Sequence, residues 1–203
     1  MDNVIPFNTP RTRWTHDEIE IGRREDLVRL GLWMFLATVT MLFAAFTSAY
    51  IVRRSGTDWR PVALPSVLWL DTLVLAASSV ALETARWGGT RGRWRAASAA
   101  FAAAIALGLG FLGGQVLAWR QLIAAGLYAP ASPHSSFFYM LTGVHGVHIV
   151  AALAVLAWGA VRTWTGAGRR DPRRWAAIIG VCRTFWHFLG GVWVYLFILL
   201  SMY

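Results

Sequence analysis

The stretch FFYMLTGVHGVHIV, Phe137 to Val150, decides the fold. It sets His145 and His148 about one helical turn apart inside a long apolar run. A neutral imidazole carries one donor and one acceptor, and hydrocarbon satisfies neither. Two imidazoles at mid-span therefore need protein partners, lipid headgroups or a bound cofactor. A second such place is TFWHFLGGVW, Thr184 to Trp193, where His187 interrupts another apolar run.

The whole chain shares this character. Of its 203 residues, 57% are hydrophobic and only 14% charged, with a mean hydropathy of +0.49. A soluble domain carries roughly 25% charged residues. The composition predicts an all-α membrane protein. Crossing ~30 Å of hydrocarbon takes ~20 helical residues, and five segments are long enough: about 27–52, 66–87, 97–119, 136–161 and 175–202. Pro61 and Pro65 precede the second segment, Pro130 and Pro133 the fourth and Pro172 the fifth. There they start helices without breaking them. No long soluble stretch separates the segments, so residues 27–203 form one five-helix transmembrane domain.

Residues 1–26 are too polar to form a core. They carry no short apolar stretch with a small-residue cleavage site and are expected to stay in the mature protein as a cytoplasmic N-terminal segment. RTRWTHDEIEIGRRED, 11–26, is expected on the membrane surface, as an interfacial helix or docked on a partner subunit.

Net charge is +9, and all 19 basic residues are arginine. A basic chain suggests nucleic acid, but here the arginines flank apolar runs and form no stripe. They orient the bundle instead. Arg11, Arg13, Arg23, Arg24 and Arg29, the second-loop Arg86, Arg91, Arg93 and Arg95, and the fourth-loop Arg162, Arg169, Arg170, Arg173 and Arg174 fall on one side. Arg53, Arg54, Arg60 and Arg120 fall on the other. The positive-inside rule places the N-terminus in the cytoplasm and Tyr203 in the periplasm. Trp14, Trp59, Trp87, Trp94, Trp119, Trp164 and Trp175 lie near segment ends, as interfacial anchors do. The single Cys182 excludes an intrachain disulfide and a cysteine metal cluster, and reads as a small buried apolar residue.

Small residues mark close helix approach. Ala106, Gly110 and Gly114 recur every four positions in the third segment, and Gly143 and Gly146 make a second thin strip beside the histidines. Such strips serve packing inside the bundle or docking against another subunit or a lipid chain.

Ionisable and polar groups inside a membrane are costly unless paired. Asp71, Glu83, Gln115, His145, His148, Arg183 and His187 are the candidates. Asp71 and Glu83 lie near opposite ends of the second segment, where both can reach water. Arg183, about two turns into the fifth, can snorkel to the surface or pair with Glu83. For the histidines three readings stay open. They hydrogen-bond across helices or to backbone carbonyls and lipid phosphates, or His145 or His148 joins His187 to ligate haem or a metal, or they relay protons. A metal wants three or four ligands, often with a carboxylate, and the carboxylates here stand at other depths.

These segments together resemble subunit III of haem-copper respiratory oxidases in the short five-span bacterial form. The resemblance runs from about residue 27 to the end. It rests on WMFLATVTMLFAAF (33–46), LAASSV (75–80), GLGFLGGQVLAW (108–119), HSSFFYMLTGVHGVH (134–148) and FWHFLGGVWVYLF (185–197). Two departures stand out. Val39 falls about where the family often has a buried acid, and Gly190 where an aspartate usually follows WHF. Neither acid's role carries over.

The resemblance implies an accessory subunit of a proton-pumping cytochrome c oxidase, in a bacterial inner membrane. Such a subunit holds no haem or copper, which sit on subunits I and II. It braces subunit I, binds phospholipid in a cleft, protects the oxidase during turnover and helps keep proton uptake rapid. His145, His148, His187, Arg183, Gln115 and Glu83 are then structural or lipid-contacting, with no catalytic, cofactor-binding or metal-binding residue on this chain. Other readings are an accessory subunit of a quinol oxidase or nitric oxide reductase, and a small bis-His haem cytochrome.

Overall fold

The computed structural model describes residues 16–59 and 64–202. Six α-helices follow in order: α1 (His16–Arg54), α2 (Val67–Thr90), α3 (Trp94–Ala124), α4 (Pro133–Trp164), the single turn α5 (Ala167–Arg170) and α6 (Pro172–Ser201). A 3-10 turn, Ala129–Ala131, leads into α4. Five of the helices are long and apolar enough to cross a membrane. The five expected segments are therefore present, each lengthened at one or both ends. Apolar composition marks only the part in hydrocarbon, whereas the backbone ladder continues until a cap stops it.

The caps are local. Ser132 and Ser135 form a reciprocal capping box, with Pro133 as the first residue of α4. The Asp171 carboxylate accepts from the Arg174 N–H at 3.0 Å, with Pro172 opening α6. Just past the ends of α2 and α3, Gly92 and Gly126 adopt φ of 70° and 77°, which a side chain would resist. Residues 1–15, which hold Trp14 and the first part of the proposed surface segment, lie outside the described residues, as do Arg60 and Pro61. His16–Asp26 continues α1 as helix.

α2, α3, α4 and α6 form a ring in which each touches two neighbours, and α1 lies against α4 and α6. Named contacts fix the α4–α6 register: Trp175 beside Thr163, Cys182 beside Val155 and His145 beside Trp193. Across α2 and α6, Thr72 meets Trp193 and Glu83 meets Arg183. The arginine-rich turns after α2 and α4 thus share one end of the bundle, and the turns after α1 and α3 share the other.

One stripe of each helix faces inward. On α3 it is Ala97, Phe101, Ala104, Gly108, Phe111, Gln115, Ala118 and Leu122, at spacings of three and four. Phe101, Phe111, Leu141, Ile149, Leu156, Trp186 and Leu189 are fully buried. Most of α1 stays exposed, including Trp33, Met34 and Met41.

The strip Ala106–Gly110–Gly114 leaves Ala106 and Gly110 exposed. It flanks α2: a Cβ on Gly114 would strike the Asp71 carboxyl, and one on Gly110 would lie 3.7 Å from Val74 Cγ1. Another tight approach is at Gly108, where a Cβ would meet Leu153 and Trp186, both at 2.7 Å. Trp175 is no interfacial anchor. It is 3% exposed, covers Gly89 and donates to Thr163 Oγ1 at 2.9 Å. Trp87 and Trp164 are more than half exposed, as anchors are.

Candidate functional site

The intramembrane polar residues fall into three separate groups. The first surrounds the α4 histidines. His145 is 1% exposed, and neither ring nitrogen has a hydrogen-bond partner. Its ring stacks on Trp193 at 5.6 Å and meets Phe111 and Phe43 edge-on, each at 6.2 Å. His148 Nδ1 lies 2.7 Å from the Val144 carbonyl one turn back, so it donates within its own helix. The His148 ring packs against Phe35 and Phe43 of α1. Gly146 beside it faces open space, whereas Gly143 lets Trp119 of α3 approach.

The second group sits toward the arginine-rich end. Glu83 of α2 accepts from His187 Nε2 at 3.0 Å and from Arg183 Nη1 at 3.3 Å, both on α6. Arg86 lies 3.6 Å from its other oxygen. The Arg183–Glu83 pair is one of the two arrangements depth left open for Arg183, the other being to snorkel to the surface. The His187 contact was not expected, although His187 follows Arg183 by four positions and so shares its face.

The third group is near the other end. Gln115 Nε2 donates to Asp71 Oδ2 at 2.6 Å. Asp71 is 3% and Gln115 6% exposed. This corrects the expectation that Asp71 reaches water. A position one turn from a helix start does not reveal which face points inward, and the α2–α3 hairpin turns this one toward Gln115.

His145 and His187 cannot share a haem in this arrangement. The α4–α6 register sets His145 level with Trp193, six residues beyond His187, or about 9 Å along the helix. His187 already spends Nε2 on Glu83. Among the described residues, no three His, Cys, Asp or Glu side chains gather as metal ligands do. What the groups do is join helices: α2 to α6, α2 to α3, and α4 to its neighbours through aromatic contacts. Val39 is buried in the core at 2% exposure, and a Cβ on Gly190 would meet nothing within 4 Å.

A groove of about 1220 Å³ opens at the far end, between the end of α1 and the start of α4. Ser48, Val52, Arg53, Asp58, Ser132 and Phe137 line it, among others. Its lining mixes alanine, proline and phenylalanine with serines, and there Arg53 Nη1 donates to Asp58 Oδ1 at 2.7 Å. Nothing in the sequence pointed to it, because its walls come from segments some eighty residues apart.

Comparison with known proteins agrees with this architecture. The family model described as Cytochrome c oxidase subunit III matches residues 20–203. The chain is 31% identical over 185 residues to the probable cytochrome c oxidase subunit 3 of Mycobacterium tuberculosis, covering 86% of this chain and 87% of that protein. It is 29% identical over 173 residues to cytochrome c oxidase subunit 3 of Bacillus sp. strain PS3, covering 83% and 82%. It is 31% identical over 173 residues to the cytochrome bo(3) ubiquinol oxidase subunit 3 of Pseudomonas aeruginosa, covering 82% and 80%. The chain belongs to the cytochrome c oxidase subunit III family. It is an accessory subunit of a respiratory oxidase complex and a membrane protein.

Proposed function

We propose that this member of the cytochrome c oxidase subunit III family braces subunit I of a proton-pumping cytochrome c oxidase beside subunit II. It does no redox chemistry itself. The observation that carries this reading is where its membrane histidines point. His145 faces aromatic rings, His148 its own helix and His187 a carboxylate. They serve as cross-braces, and haem and copper belong to the partner subunits.

The exposed apolar residues of α1 supply surface for subunit I. The groove between α1 and α4 suits a phospholipid, with acyl chains along Val52 and Phe137 and a headgroup near Arg53. His145, His148, His187, Arg183, Gln115 and Glu83 keep the bundle rigid around these surfaces. Of the helix-packing candidates, Gly110, Gly114 and Gly143 let neighbouring helices approach, and Ala106 and Gly146 leave open surface for a partner or lipid. By the arginine distribution, the N-terminus and residues 1–26 face the cytoplasm and the C-terminus the periplasm of a bacterial inner membrane.

The similarity to a ubiquinol oxidase subunit favours a second reading for the electron donor, quinol in place of cytochrome c. Purification of the complex tests both readings. Co-purification with subunits I and II, all haem remaining on those partners, and oxidation of reduced cytochrome c support the first. Quinol oxidation without cytochrome c oxidation selects the second. A haem retained by the chain alone overturns both.

A further inference from the structure

The pairing of Asp71 with Gln115 is incomplete as drawn with a carboxylate. The Gln115 amide donates through Nε2 to Asp71 Oδ2. Its other atom, Oε1, is buried with no donor. No ion pair to Asp71 is present among the described residues; Arg86 of α2 and Arg183 of α6 meet Glu83, three turns away. From α3 the carboxyl faces Gln115 and the bare backbone of Gly114. On the α6 side, Trp193 donates to the adjacent Thr72 and brings no charge. A buried carboxylate without a counter-ion is costly.

We propose that Asp71 is a proton-binding site: the α2–α3 hairpin holds it as a neutral carboxylic acid, paired with Gln115 through two hydrogen bonds. The amide N–H donates to one carboxyl oxygen, and the carboxyl O–H donates to Oε1. One bound proton thus removes the uncompensated charge and satisfies the orphaned acceptor together. Gly114 leaves the space that this planar pair occupies. The site joins α2 to α3 without placing an ion inside the bundle, and it is separate from the Glu83 cluster, which is ionic.

Infrared difference spectroscopy on the intact oxidase at neutral pH tests this. Subtracting the Asp71→Asn complex from the wild type should reveal the carbonyl stretch of one protonated carboxylic acid per complex. That band should move to lower frequency in D2O, and to higher frequency in Gln115→Leu, where the acid loses its partner. Asparagine reproduces the neutral pair, so Asp71→Asn should assemble in normal yield. A difference spectrum showing lost carboxylate bands overturns the proposal and makes the donor to Oε1 a bound water. Absence of any carboxylic acid band, or failure of Asp71→Asn to assemble, overturns it too.

Discussion

The His187 Nε2–H of α6 donates to Glu83 Oε1 of α2 at 3.0 Å, tying two helices whose sequences lie 104 residues apart. Arg183 shares that oxygen. Removing the carboxylate frees both donors at once. The side chains are about a third exposed, which lets water take part of the loss. Glu83→Ala should cost about 1 kcal/mol, and Glu83→Gln less, since its amide oxygen still accepts. The thermal midpoint of the detergent-solubilised complex reads the difference. An unchanged midpoint in Glu83→Ala would show that the cluster braces nothing.

Gly108 sits where α4 and α6 close on α3, between Leu153 and Trp186. Gly108→Ala should destabilise by about 1–3 kcal/mol through overpacking. Gly110→Leu should be milder, because Gly110 is exposed and its nearest neighbour is Val74 at 3.7 Å. Gly113→Ala and Gly191→Ala meet nothing within 4 Å and should be tolerated. The yield of chain co-purifying with subunit I ranks the four variants. Equal yields would mean the α3–α4–α6 contact is loose.

His145 makes ring contacts and no hydrogen bonds to protein. His145→Phe keeps the ring and removes two buried polar atoms, so stability should stay within about 1 kcal/mol of wild type or rise. His148→Leu gives up one intrahelical bond. Haem per complex, measured from the pyridine haemochrome spectrum, should be the same in both as in wild type. Loss of one haem equivalent would make the histidine a ligand.

The Asp58 carboxyl, in the turn after α1, is held below the usual carboxylate range, chiefly by its hydrogen bond from Arg53. A lowered folded-state value means the pair contributes at neutral pH and is lost as pH falls below the ordinary aspartate value of about 3.9. Limited proteolysis of this turn should accelerate over that acidic range in wild type. In Asp58→Asn the cleavage rate should already be raised at neutral pH and change little on acidification.

Much of this protein follows from patterns local in sequence. Five apolar runs, each with a polar boundary, specify five helices, because hydrocarbon leaves the backbone no other way to satisfy its hydrogen bonds. Pro133 and Pro172 mark helix starts that the structure places within three residues of the expected ones. Depth left two readings for Arg183, snorkelling to the surface or pairing with Glu83, since a charge near one end needs water or a partner near that end. The His187 contact was within reach of the same argument through its shared face with Arg183.

The rest required the three-dimensional arrangement. Depth along a helix is read from residue number, but rotation about its axis is fixed only by the neighbours. That rotation buries Asp71 against Gln115, turns Ala106 and Gly110 outward, draws Trp175 into the core and closes aromatic rings over His145. Sequence determined how many rods cross the membrane and where each begins, because those depend on local hydrophobicity and capping. Tertiary structure alone decided that Asp71 meets Gln115 and that aromatic rings close over His145, because those contacts depend on packing between segments far apart in the chain.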